Sequence, residues 1–152
     1  AAAIVMHLAD RFPQARLAPA PGTPARAHFY KWLLWMSNTL QAMLILYFYP
    51  DRLVVAGNDE GARQVKAHAE ARIGTLLQQL DDQLAGHGGP WLLGADYSAA
   101  DPYAFMLCRW TRGFASRPAR DYPHLGPYLQ RLLARPALQR VCEIEQLPQP
   151  LV

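Results

Sequence analysis

The chain has 152 residues, 51% of them apolar and 18% charged, enough for one domain with a sizeable core and unlike a disordered segment. Fifteen Lys and Arg against twelve Asp and Glu leave a formal charge of +3, scattered along the chain, so the basic balance forms no nucleic-acid footprint. Only two cysteines occur, Cys108 and Cys142, without CxxC or Cys/His clustering, which argues against a disulfide framework and a zinc site and fits a reducing compartment.

Strand signals are scarce, whereas helical spacing recurs, so an all-α fold is expected. The chain opens Ala1-Ala2-Ala3-Ile4-Val5-Met6-His7-Leu8, without an initiator Met or a secretory pattern. It reads like the inside of a helix, and the expectation is that it starts within a larger gene product. Ile4, Val5, Leu8 and Ala9 recur at helical intervals until Pro13 stops the turn. Pro13, Pro19, Pro21 and Gly22 then forbid continuous helix, which predicts a linker over 13–22 between a helix at 1–12 and a helical domain at 23–152.

Thr23-Pro24 is an N-cap followed by proline at the first helical position, and the helix it starts can run to Tyr49, where Pro50 halts it. No residue from Trp32 to Tyr49 is charged, which raises a membrane-spanning reading, since roughly 18 residues is the lower edge for a bilayer span. Ser37, Asn38 and Gln41 nevertheless place a polar stripe on one face, which hydrocarbon disfavours and a cleft can use. The mean hydropathy of -0.08 also suits a soluble chain.

Beyond the turn at Gly57–Gly61, an apolar stripe of Val65, Ala69, Ile73, Leu76, Leu77, Leu80 and Leu84 predicts a long amphipathic helix, ended by Gly86-His87-Gly88-Gly89-Pro90. Lys66 and Glu70 have the spacing of an ion pair on its wet face. Three further helices are expected over 98–112, 125–133 and 136–145, with connections short enough for a bundle.

Ser98 and Asp101 have capping-box spacing, in which each side chain can accept from the other's backbone N–H. The helix behind them is apolar on every side, with Tyr103 to Cys108 and Trp110, which places it in the middle of the bundle. Ser98 and Asp101 are therefore read as structural. Asn38, Gln41 and Trp110 are the candidate binding residues, with buried hydrogen bonding and packing as their alternative roles. Both cysteines are read as core, the five histidines show no metal-ligand spacing, and no catalytic residue or metal ligand is assigned.

Trp91-Leu92-Leu93-Gly94, Ser98-Ala99-Ala100-Asp101, Tyr103, Phe105, Arg109 and Trp110 together resemble the C-terminal helical domain of bacterial cytosolic glutathione transferases. Ala3 to Asp10 with Pro13, Leu17 and Pro19 resembles the last helix of that family's thioredoxin-like domain and the linker leaving it. Tyr30, Trp32, Leu33 and Trp35 match its first long helix, and Tyr122-Pro123-His124-Leu125 with Arg135-Pro136-Ala137-Leu138 match its tail. The resemblance implies an all-α, glutathione-transferase C-terminal-like bundle whose N-terminal thioredoxin-like α/β domain is absent from the chain.

For the full-length protein it implies attack of glutathione sulfur on a hydrophobic electrophile, with glutathione as co-substrate and no cofactor. This chain would supply the electrophile pocket and the dimer interface of a cytoplasmic homodimer, with neither nucleic acid nor membrane as partner, and would be inactive alone. The family's Glu-Ser pair for the γ-glutamyl end falls on Ala1 and the position before it, and the beta class's His-Lys pair falls on Gln41 and Ala42, a departure from the beta-class pattern. A rival reading keeps the fold and drops the catalysis, because similar helical domains serve as docking modules in translation assemblies.

Overall fold

Helix α1 (Ala2–Arg11) ends as Phe12 and Pro13 leave the helical region, and it buries Ala2 and Ala9 while Ile4, Leu8 and Phe12 stay exposed. The computed structural model describes residues 1–152, all in helices, short 3₁₀ turns and loops, with one isolated bridge between Trp91 and Gly94 and no strand. The segment after α1 makes a 3₁₀ turn at Pro13–Ala15 and is tied down at two points. The Leu17 carbonyl accepts from the Ala99 N–H at 2.7 Å. The Pro19 carbonyl accepts from the buried Arg26 guanidinium at 2.7 Å, and the same group pairs with Asp10 on α1.

Helix α2 (Pro24–Trp35) starts as its sequence predicts, with Thr23 Oγ1 accepting from the Arg26 N–H at 3.2 Å and proline at the first position. The chain then departs from expectation. Instead of one unbroken α-helix to Tyr49, a π-helical turn at Met36–Leu40 separates α2 from α3 (Gln41–Phe48). A π turn takes more residues than an α turn, so the register of α3 is offset from that of α2. Phe29, Leu33, Met36, Leu40 and Leu44 still reach the core across it. Of the predicted polar stripe, Asn38 is exposed and Ser37 and Gln41 are half-buried. No helix is long and apolar enough to cross a membrane.

Helix α4 (Asp59–His87) is capped by Asn58, whose side chain accepts from the Gly61 N–H at 2.9 Å, and it ends at Gly88 in the left-handed region, which glycine adopts without a Cβ clash. Its stripe of Ala69, Ile73, Leu76, Leu77, Leu80 and Leu84 is buried as predicted, with Val65 half-buried at its start. The Lys66–Glu70 pairing is replaced by tertiary partners: Lys66 Nζ lies 4.8 Å from the Tyr47 ring centroid, and Glu70 accepts from Ser116 Oγ at 2.6 Å.

Helix α5 (Ala100–Trp110) is the centre of the bundle, packing against α2, α3 and α6 (Leu125–Leu133), with α7 (Pro136–Ile144) outside α6. The start of α6 is set from a distance. Asp81, buried on α4, accepts from the His124 N–H at 2.8 Å and the Leu125 N–H at 2.7 Å, satisfying two of the N–H groups a helix start leaves open. Gly126 lets the Arg120 carbonyl approach closer than a Cβ would permit. Replacing Asp81 by Ala leaves the buried Leu125 N–H and the part-buried His124 N–H without this acceptor and is expected to cost about 2–4 kcal/mol. That corresponds to roughly 5–15 °C in Tm for a chain of this size, readable by thermal denaturation.

Candidate functional site

The entrance to α5 is organised by the buried Asp101 carboxylate. Its Oδ1 accepts from the Leu92 N–H and the Tyr128 hydroxyl, both at 2.9 Å, and its Oδ2 from the Ser98 N–H at 2.7 Å and Ser98 Oγ at 3.3 Å. Only one half of the expected capping box forms. Ser98 Oγ accepts from the Ala100 N–H at 3.3 Å, while the Asp101 N–H donates to the Ser98 carbonyl, so the cap is a four-donor knot with one side chain at its centre. Burial pushes the Asp101 carboxyl above its ordinary range, and the Leu92, Ser98 and Tyr128 donors pull it back. Burial and the neighbouring Asp101 charge hold the Tyr128 phenol well above its ordinary value, so it stays a donor.

Behind this cap, all of α5 is buried except Pro102, Met106 and Trp110, which are half-buried. Their spacing of four residues puts them on one line along the helix. Pro102 and Met106 border an apolar hollow of about 330 Å³ whose other walls include Tyr103, Ala1, Val5, Leu8 and Leu17. Tyr103 donates its hydroxyl to Gln41 Oε1 at 2.5 Å. That bond occupies the Gln41 carbonyl oxygen, fixes the sense of the amide, and leaves its NH2 group as the donor.

The three predicted binding residues are therefore not equivalent. Gln41 is brought to α5 and oriented there. Trp110 stands two helical turns beyond Tyr103, half-buried, with its ring edge-on to Phe48 at 6.2 Å between centroids. Asn38 is exposed on the π turn, away from this contact. Tyr103 is part of the core, as its place in the apolar helix predicts, and its hydroxyl contact to Gln41 is what the sequence reading did not foresee. It is buried, and its distinguishing signal is a hydroxyl seven residues before Trp110, on the same face of the helix.

The remaining reactive groups are ordinary. Cys108 is buried, which pushes its thiol up to about 12, and Cys142 is also buried. No three His, Cys, Asp or Glu side chains come together. Arg109, next to Trp110, is buried and donates to the main-chain carbonyls of Pro148, Pro150 and Leu151 at 3.2, 3.2 and 2.8 Å.

Residues 52–143 match the glutathione S-transferase C-terminal domain family. The chain belongs to that family. Among curated proteins, it is 25% identical over 145 residues to glutathione S-transferase GstA of Escherichia coli O157:H7, covering 95% of this chain and 66% of that protein. Among solved structures, it is 31% identical to the theta class glutathione S-transferase of Xanthomonas axonopodis pv. citri with glutathione bound, covering 91% of this chain and 70% of that one at a TM-score of 0.70. The ternary complex of BphK, a bacterial glutathione S-transferase, is 30% identical, with 96% and 67% covered and a TM-score of 0.71. The chain thus spans 66% of the length of the curated relative from E. coli.

As a glutathione S-transferase C-terminal domain, the chain carries its matched segment from the turn after α3 to the end of α7, while the structural likenesses extend over α1 to α3 as well, where Gln41 lies. Two outcomes follow from the geometry. Asp101→Ala orphans the buried donors of Leu92, Ser98 and Tyr128, and is expected to lower stability by about 3 kcal/mol or more and to cut folding yield, measured by denaturant unfolding. Neither cysteine of the native protein should react with a thiol reagent at pH 8, and both should react in denaturant, as read by mass spectrometry.

Proposed function

We propose that the full-length protein conjugates glutathione to hydrophobic electrophiles, and that this chain supplies the electrophile side of the site. The observation that carries this reading is the half-buried Pro102–Met106–Trp110 line, with the Gln41 amide hydrogen-bonded to Tyr103 of the same helix: a mostly apolar wall with one polar group held next to it. Such a wall binds and positions a hydrophobic molecule. The Gln41 NH2 group then hydrogen-bonds the negative charge that develops on it as sulfur attacks, and Trp110 bounds the ring or chain being held. Asn38 contributes from the rim.

Glutathione itself is assigned to a thioredoxin-like domain of the kind the resemblance implies, of which residues 1–12 are the last helix and 13–22 the linker, with 23–152 as the helical domain. Glutathione bound in the Xanthomonas relative supports glutathione as the co-substrate. The thiolate forms the new C–S bond to the electrophilic carbon, and the leaving group departs with the bond's electrons. We further assign a homodimer with α2 at its interface, where Leu34 is 43% exposed, and a cytoplasmic location.

The test is turnover of glutathione with 1-chloro-2,4-dinitrobenzene by the full-length gene product. Gln41→Leu is expected to lower kcat about tenfold, the loss of one hydrogen bond made in the transition state. Trp110→Ala is expected to raise KM for the aromatic about tenfold with kcat little changed. Calorimetric titration of residues 1–152 with glutathione should show no specific binding, and micromolar affinity would overturn the division of labour. A full-length product with no glutathione-dependent turnover would favour the docking reading instead.

A further inference from the structure

A hollow of about 520 Å³ lies where the segment between α1 and α2, the start of α2 and the 93–98 loop meet. It shares no lining residue with the apolar hollow beside Pro102 and Met106, and the proposed reaction makes no use of it. Its size is that of a small-molecule site, which runs to about 300–1,000 Å³ and combines apolar walls with a few polar groups. Half of its lining residues are apolar, Pro19 from the segment after α1 and Leu93 from the loop among them.

Most of the polar groups in its lining are already engaged. Ser98 gives its N–H and its hydroxyl to Asp101. Tyr97 is covered by the Arg135 guanidinium, 3.7 Å from its ring centroid, and stands edge-on to Trp91. Burial, and then the Lys31 and His87 charges, lower the His28 imidazole, which leaves it neutral at pH 7. Arg16 and Asp96 remain, one from the segment after α1 and one from the loop, and neither belongs to the chain's three ion pairs. They line one hollow without pairing with each other. Behind them, Arg26 pairs with Asp10, and Asp101 is surrounded by its four donors.

The backbone under both charges is fixed. Arg16 sits in the left-handed region at φ 52°, which a residue other than glycine adopts at a cost, and its N–H donates to the Pro13 carbonyl at 3.1 Å. The Leu17 carbonyl next to it is held by Ala99. On the other wall, two main-chain hydrogen bonds of 3.1 Å join Trp91 and Gly94. The Leu92 and Ser98 N–H groups, before and after Asp96 in the chain, both donate to Asp101.

We propose that this hollow binds a free amino acid with an apolar side chain, its carboxylate on Arg16, its ammonium on Asp96, and its side chain against Pro19 and Leu93. One molecule carrying both charges completes two ion pairs that the chain leaves open, and a guanidinium takes a carboxylate in a two-pronged geometry. Because both partners stand on fixed backbone, little ordering opposes binding. The apolar walls separate such a ligand from glutathione, which is polar along its length and carries a second carboxylate. The site goes beyond the transferase reading and does not rest on it.

The test is calorimetric titration of the chain with L-phenylalanine and with two analogues that each lack one charge, 3-phenylpropanoate and 2-phenylethylamine. Phenylalanine is expected to bind at least tenfold more tightly than either. Asp96→Asn should weaken phenylalanine about tenfold and leave 3-phenylpropanoate within twofold. Arg16→Gln should weaken phenylalanine about tenfold and leave 2-phenylethylamine within twofold. Both side chains are exposed, so the variants are expected to keep the Tm of the unaltered chain. Excess glutathione should not change the phenylalanine isotherm. No binding of phenylalanine, an analogue that binds as well as it does, a preference that survives either substitution, or displacement by glutathione would each overturn the proposal. The two readings fail separately: turnover of glutathione by the full-length product without phenylalanine binding removes this proposal and leaves the transferase. Phenylalanine binding as expected without glutathione turnover does the reverse.

Discussion

The Asp101 carboxylate is the constraint on which the rest of the bundle depends. It gathers a loop N–H from Leu92, both donors of Ser98, and the Tyr128 hydroxyl from α6, in a place where no water replaces a lost partner. In such surroundings each unmatched donor costs far more than a matched one gains, so the loop, α5 and α6 are locked into one relative position. A second carboxylate stands behind the first. Asp81 sets where α6 begins, and α6 presents Tyr128 to Asp101. The two acids therefore act in series, running from α4 through α6 to α5.

That lock matters to the site because α5 has only one face that is not fully buried. Rotating the helix by a single residue turns its side chains through about 100°, which would withdraw Pro102, Met106 and Trp110 and offer core residues in their place. The same rotation would carry the Tyr103 hydroxyl off Gln41 and free the amide to turn over. The outlook of that half-buried face is thus a by-product of how the start of α5 is fixed, at the residue just before Pro102. Arg26 does a similar service at the other wall, holding α1, the linker and α2 through Asp10 and the Pro19 carbonyl.

Much of this was legible in the sequence, and the limits of that reading are physical. The stripe on α4, the proline-broken segment after α1, the bounds of α6 and the burial of α5 all follow from local periodicity and from Pro and Gly, which act on their own neighbourhood. Asp81 was not legible, because on a long amphipathic helix an acid next to Asp82 reads as wet face, and its partners lie more than forty residues away. The π turn has no local signature either; it reconciles the packing of α2 with that of α3. Lys66 and Glu70 had pair spacing and found better partners in Tyr47 and Ser116. In each case a tertiary contact outweighed a local preference worth only a few tenths of a kcal/mol. Gln41 stood out because an amide in a greasy helix is conspicuous, whereas its bond to Tyr103 joins residues sixty-two positions apart and has no local signal.

The grip of Arg109 on residues 148–151 is made wholly to peptide oxygens. Every amino acid presents the same oxygen, so the path of that strap is indifferent to which side chains it carries. Substitution there can change the surface beside the end of α5 without loosening its attachment. Evolution thereby has a place where side chains can vary while the machinery that folds the domain stays untouched.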